Sequence, residues 1–222
     1  MLELENFGLK IGEREILADV NIKINEDEKC LLLGPNGIGK TAFLKSLMGF
    51  PPYSVVGKII FNKEDITSLP INERFKRGIF LLFQDTEEIN VRIGRLLKLI
   101  SSEEKIEEAL KMLNLSKEFL NREINKSLSG GERKTVEMLQ MLVSSPKLAL
   151  IDEFDAGVDF SLLKTFTQVI NSNKFSAIIV THNYSTISML KINRILLLKD
   201  KNIREIDKEE LERIVKEGYG QI

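Results

Sequence analysis

The stretch Gly34-Pro35-Asn36-Gly37-Ile38-Gly39-Lys40-Thr41 constrains this chain more than any other. The apolar run 30–33 precedes it, and a helix-forming segment, residues 42–48, follows. A glycine-rich loop between a strand and a helix is a phosphate cradle. Its glycines open backbone conformations that a Cβ forbids, so successive N–H groups can turn toward one anion. The helix N-terminus adds the positive end of its dipole. Lys40 supplies a point charge for the outer phosphates, and Thr41 supplies a hydroxyl for Mg2+. The expected nucleotide contacts run through the loop into Ala42.

A strand–loop–helix unit of this kind needs a sheet to stand in. Residues 79–83, 148–151 and 177–180 are continuously apolar, like 30–33. Such runs suit parallel strands covered by helices on both faces. Helical patterns lie between them, which predicts an α/β layered fold with a mostly parallel core sheet. Residues 20–24 instead alternate with period two, and 15–17 and 57–61 read as further short strands around a turn at Gly12-Glu13. They predict an antiparallel β subdomain beside the nucleotide base. Residues 72–76 read as a short helix leading into the 79–83 strand.

Residues 85–127 are the most polar and most helical part of the chain. Ser101-Ser102-Glu103-Glu104 has the spacing of a capping box. Ile106, Ala109, Leu110 and Leu113 then share a helical face, after an earlier helix carrying Leu96, Leu97 and Ile100. Asn114 can end the second helix. The length of the segment favours an insert carried outside the sheet, held less rigidly than the core, over a packed crossover. After residue 152 helices are expected at 160–170, from about 185, and at 208–216, with strands at 177–180, 194–198 and 203–206. Leu211, Ile214 and Val215 would share one face of the last helix.

At 222 residues and 43% hydrophobic content, the chain reads as one domain, 1–222, with a helical subdomain at about 85–145. A net charge of −1 offers no basic excess for nucleic acid or an anionic membrane. Cys30 is the one cysteine, so an internal disulfide or a cysteine-ligated cluster is excluded, and its apolar run marks it as core filler. No apolar stretch has the length of a signal segment or a membrane span. The expectation is a cytoplasmic chain with no direct membrane insertion.

The run 148–151 ends in Asp152-Glu153. Carboxylates at the carboxyl end of a parallel strand face the ligand site. Asp152 is placed to organise Mg2+ through its waters, and Glu153 to take a proton from an attacking water. Ser129-Gly130-Gly131-Glu132 opens a helix with Val136, Leu139, Leu142 and Val143 on its apolar positions. Ser129 can cap that helix, and the glycines bare a second anion-binding helix terminus. His182, the only histidine, follows the 177–180 run and is expected at the γ-phosphate. Gln84, at the end of the 79–83 run, can contact Mg2+ or the water and link nucleotide state to the helical insert. Asp159 is a candidate dimer contact.

This set, in this order and spacing, resembles an ABC-type P-loop ATPase over essentially the whole chain. The resemblance implies that ATP is sandwiched between the loop of one subunit and the Ser-Gly-Gly helix of another. Lys40 and Thr41 would hold phosphate and Mg2+, and Gln84 and Asp152 would serve the metal. Ser129, Gly130 and Gly131 would reach the γ-phosphate in trans. Glu153 would be the catalytic base, and His182 the switch histidine. A narrower likeness is to the SufC family of iron–sulfur cluster assembly ATPases. It rests on Arg77 to Gln84 with Glu88, Ile89 and Val91, on Glu132 where transporter ATPases usually carry Gln, on Met138 and Met141, on Asp155 and Gly157, and on the tail Glu217-Gly218-Tyr219-Gly220. That likeness implies SufB/SufD-like scaffold partners and an ATP-dependent homodimer. Ala156 and Val158 depart from the family's usual Ser and Leu. The insert is shorter than usual, and Ile11 stands where many transporter ATPases stack an aromatic on adenine. A subunit of a membrane transporter is the alternative, with the same ATPase residues.

Overall fold

Two strands, β1 (Leu2–Ile11) and β2 (Arg14–Ile24), pair antiparallel across Gly12-Glu13. They are longer than the short strands expected. Asn6 and Asp19 interrupt the period-two pattern by taking left-handed φ values of 48° and 50°, and β1 carries register shifts beside Phe7. β3 (Lys29–Leu33) then leads through the glycine loop into α1 (Lys40–Met48). β4 (Tyr53–Phe61) returns to the free edge of β1, and β5 (Glu64–Asp65) pairs on β4. The antiparallel sheet therefore runs β2-β1-β4-β5. The structure, a computed structural model, describes residues 1–83, 89–124 and 127–219.

α2 (Ile71–Lys76) precedes β6 (Ile79–Leu82). α3 (Ile93–Ile100), α4 (Glu103–Met112) and α5 (Gly130–Ser144) follow. The chain continues through β7 (Leu148–Asp152), α6 (Phe160–Ser172), β8 (Ser176–Val180), α7 (Tyr184–Met189), β9 (Arg194–Lys199), β10 (Asn202–Ile206) and α8 (Lys208–Glu217). The main sheet has the order β10-β9-β3-β8-β7-β6, parallel from β9 to β6, with β10 antiparallel at the edge. Every residue of β3, β6, β7 and β8 is buried, as continuous apolar runs in a covered parallel sheet require. Among the described residues, no helix is long and apolar enough to cross a membrane.

The strand pleat divides the core. Cys30 and Leu32 point into a cluster shared with α1 and the antiparallel sheet, including Phe7 and Phe43. Leu31 and Leu33 point the other way, to Leu197, Ile206 and Ile214. Burial pushes the Cys30 thiol up to about 12, the state of an inert core residue. A third cluster joins Phe80, Leu82, Ala149 and Ile151 of the sheet to Leu97, Ile106, Val136 and Leu139. Within the helical region, α3 and α4 pack on α5. α5 is buried on two sides and bridges the sheet to α3 and α4. Local periodicity shows an apolar face without showing what covers it.

Two smaller expectations fail. Ser102, not Ser101, is the N-cap of α4 and makes no side-chain capping bond, because the expected box was one residue out of register. Val215 is exposed while Ile214 is buried, since α8 presents only a narrow stripe to the sheet.

The end of α1 is closed by a distant side chain. The buried Arg74 guanidinium donates to the carbonyls of Ser46, Leu47, Leu69 and Thr67 at 2.8 to 3.0 Å. The first two lie in the last turn of α1; Ser46 also accepts from the Gly49 N–H at 3.0 Å, so Arg74 supplies its second bond. Arg74→Ala is expected to cost about 3 kcal/mol in urea denaturation, because it strands several buried acceptors. A loss below about 1 kcal/mol would show that the carbonyls are satisfied some other way.

Candidate active site

β3, β8, β7 and β6 are successive neighbours, so the residues after their carboxyl ends meet at one edge of the sheet. That edge carries the glycine loop, His182, Asp152-Glu153 and Phe83. The loop is wedged between β2 and β9. A Cβ on Gly39 would lie 2.3 Å from Ile16 Cγ2, and one on Gly34 would lie 2.6 Å from the Leu198 carbonyl oxygen. Gly39 also takes φ 120° as the N-cap of α1. The N-cap is a glycine, so it brings no side-chain acceptor to the first N–H groups of the helix. Lys40 is buried, and its Nζ donates to the carbonyls of Gly34 at 2.8 Å and Pro35 at 3.0 Å. Burial lowers its pKa, against the opposing charges of Glu153 and Asp152. Thr41 is half-buried and Ala42 is buried behind it.

Asp152 is 2% exposed, and its Oδ1 has no hydrogen-bond partner among the described residues. Burial pushes the carboxyl up, while the Thr41 hydroxyl beside it pulls it down. An unpartnered buried carboxylate oxygen is costly unless something is meant to meet it. Glu153 has φ 45°, and its N–H donates to the Val180 carbonyl at 2.9 Å. That left-handed conformation bends the chain off the strand end and costs on the order of 1–3 kcal/mol. The His182 Nε2 lies 3.9 Å from Glu153 Oε1. Burial, then the Lys40 charge, lowers the His182 pKa, which leaves the imidazole neutral at pH 7. Below this pair, Asp155 Oδ2 accepts hydrogen bonds from the hydroxyls of Thr181 and Thr186, tying the segment after β7 to the one that carries His182.

Ser129 caps α5 in a complete capping box. Its Oγ accepts from the Glu132 N–H at 3.2 Å, and Glu132 Oε2 accepts from the Ser129 N–H at 2.8 Å. Arg122 pairs with Glu132 and holds its carboxyl at about 2. The Glu132 side chain is thus engaged within its own helix start, while Ser129 and Gly130 are exposed. A Cβ on Gly130 would lie 3.7 Å from the Gly157 carbonyl, so this terminus abuts the segment after Glu153. Asp159 N-caps α6 by accepting from the Leu162 N–H at 3.0 Å, next to an exposed Phe160. Ile11 ends β1, half-buried against the antiparallel core.

Gln84 lies outside the described residues, as do Glu88 and Gly220. The structure does show what holds the preceding residue. Phe83 donates its N–H to Glu137 Oε2 at 3.4 Å, and its carbonyl accepts from Lys134 Nζ. Both charged residues are buried on α5. Sequence reasoning gave neither a role in the site. The available signal was a pair of charges at 134 and 137 flanking the buried Val136.

Residues 17–156 match the ABC transporter family model. The chain is 36% identical to a Trieres chinensis protein named "Probable ATP-dependent transporter ycf16", over 91% of this chain and 89% of that one. A nucleotide-free ATP-binding cassette from an ABC transporter aligns at TM-score 0.80 and 26% identity, over 97% of this chain and 94% of the other. The ATP-binding cassette MJ0796, solved as a dimer in a post-hydrolysis state with ADP and Pi, shares the fold at TM-score 0.75 and 24% identity, over 93% and 98% of the two chains. The family uses ATP with Mg2+, and the residues fit both. The unpartnered Asp152 oxygen and the Thr41 hydroxyl are hard oxygen donors of the kind Mg2+ takes. The α1 N-terminus without a side-chain cap, with Lys40 behind it, suits a polyphosphate. Family model, relative and folded site agree: this chain belongs to the ABC transporter family as one of its ATP-hydrolysing domains.

Proposed function

We propose that this ATPase is the nucleotide-driven subunit of a SufBC- or SufBCD-like iron–sulfur cluster assembly complex. Two copies pair on ATP, and their closure moves attached SufB/SufD-like scaffold proteins. Residues 1–222 act as one ATPase domain in the cytoplasm, and the helical part at about 85–145 faces the partner. The observation that carries the nucleotide chemistry is the buried, unpartnered Asp152 Oδ1 next to Lys40 and Glu153. Gly34, Pro35, Asn36, Gly37, Ile38, Gly39 and Ala42 line the phosphate cradle. Lys40 leaves the loop carbonyls to meet the outer phosphates. Thr41, Asp152 and Gln84 hold Mg2+, which when bound neutralises charge on the phosphate oxygens. Glu153 accepts the proton of the attacking water. The neutral His182 imidazole contacts the γ-phosphate, and Gln84 orients the water. Ser129, Gly130 and Gly131 meet the γ-phosphate held by the other copy, with Glu132 keeping that helix start in shape.

The scaffold assignment rests on the residue pattern, above all Glu132 in the Ser-Gly-Gly motif and the tail around Tyr219. A second reading, a nucleotide-binding subunit of a membrane transporter, is favoured by the name of the 36% identical relative. Affinity purification at native expression separates the two. A co-purifying scaffold of the SufB or SufD type without a membrane protein is the expected result. A polytopic permease in stoichiometric amount would overturn the scaffold role and leave the ATPase chemistry standing.

A further inference from the structure

We infer that Tyr219, on the C-terminal tail, is a positioning residue for the phosphate loop. The inference rests on the reading that residues 34–42 bind the nucleotide's phosphates. The ladders of β3 end at Leu31 toward β8 and at Leu33 toward β9, so the N–H of Gly34 lies beyond both and takes its partner elsewhere. It donates to the Tyr219 hydroxyl at 3.2 Å, across 185 residues of sequence. The Gly34 carbonyl in turn accepts from Lys40 Nζ at 2.8 Å. Gly34 is therefore held at its N–H by the tail and at its carbonyl by the loop's own lysine.

The tail is built to deliver that hydroxyl. Asp207 caps α8 by accepting from the Glu210 N–H at 2.8 Å. Leu211 and Ile214 seat the helix on Leu31, Leu33, Leu197 and Ile206. Gly218 then takes φ 77°, which turns the chain, and the Tyr219 ring joins the same apolar cluster. The ring packs under β3 while its polar tip reaches the first residue of the loop. Lys40 must leave the Gly34 carbonyl when it meets phosphate. Tyr219 is then the contact that keeps the Gly34 peptide oriented and the loop amides aimed inward.

Tyr219→Phe removes the hydroxyl and keeps the ring. Hydrogen exchange of the Gly34 amide in the nucleotide-free protein is expected to speed up about tenfold. ATP and ADP dissociation constants are expected to rise together by about three- to tenfold, the scale of one hydrogen bond. The kcat at saturating ATP should hold, and the melting temperature should fall by no more than about 2–4 °C, the scale of one hydrogen bond in a domain of this size. Unchanged Gly34 exchange and unchanged nucleotide affinity would overturn the inference. So would a lowered melting temperature with affinity intact, which would leave Tyr219 as packing alone. Lys40→Ala serves as the control. Normal binding by Tyr219→Phe beside a defective Lys40→Ala overturns the tail inference only, whereas normal binding by both overturns the loop reading beneath it.

Discussion

Glu153→Gln is expected to keep nucleotide affinity and to reduce ATP turnover by about 10²- to 10⁴-fold, the range of a lost general base. The amide has the shape of the carboxylate but cannot accept the proton of an attacking water. The backbone reason for the position stays intact, because the φ of 45° and the N–H bond to Val180 do not depend on the side-chain oxygen. With hydrolysis blocked and binding preserved, ATP-bound pairs should accumulate, and light scattering after gel filtration with ATP and Mg2+ reads them directly. Adding Ser129→Arg should return the variant to a monomer, since a long cation then fills the exposed start of α5. Turnover within a few-fold of the parent protein would remove Glu153 from its role as base. Dimers that persist in the double variant would end the trans arrangement.

The second large effect is expected at Lys40. Its ammonium is buried and donates to two loop carbonyls. Exchanging those carbonyls for phosphate oxygens replaces neutral acceptors with charged ones, and charge-assisted bonds are about twice as strong. Lys40→Ala is therefore expected to weaken ATP and ADP binding by about a hundredfold, on the order of 2–3 kcal/mol. Calorimetric titration measures this without turnover. Affinity within about threefold of the parent protein would mean that the loop is not the phosphate site.

The parts of the site that were legible beforehand share one property. Each is a short local pattern whose chemistry lies in neighbouring residues. The loop at 34–41 could be read from glycine spacing between a strand and a helix, and the strands after which Asp152 and His182 stand from unbroken apolar runs. Adjacency of those strand ends then followed from the general behaviour of parallel sheets. The failures are equally consistent. An amphipathic face does not name its cover, so the sequence did not show that α5 bridges the sheet to α3 and α4. The capping box expected at Ser101 does not form, because the helix starts one residue later: Ser102 is the N-cap, and its third helical residue is Lys105, which has no acceptor to close a box.

By itself, then, the sequence of this protein determined the phosphate loop, the parallel strands that support it and the kinds of side chain at their ends. Only the tertiary structure decided the contacts that hold those groups in place. Arg74 closes the end of α1, Lys134 and Glu137 grip Phe83, Asp155 ties Thr181 to Thr186, and Tyr219 reaches Gly34. Most of these join residues tens to nearly two hundred positions apart. A backbone hydrogen bond within a helix or turn is implied by local periodicity. A side chain that satisfies a distant backbone group exists only once packing has set the two surfaces side by side.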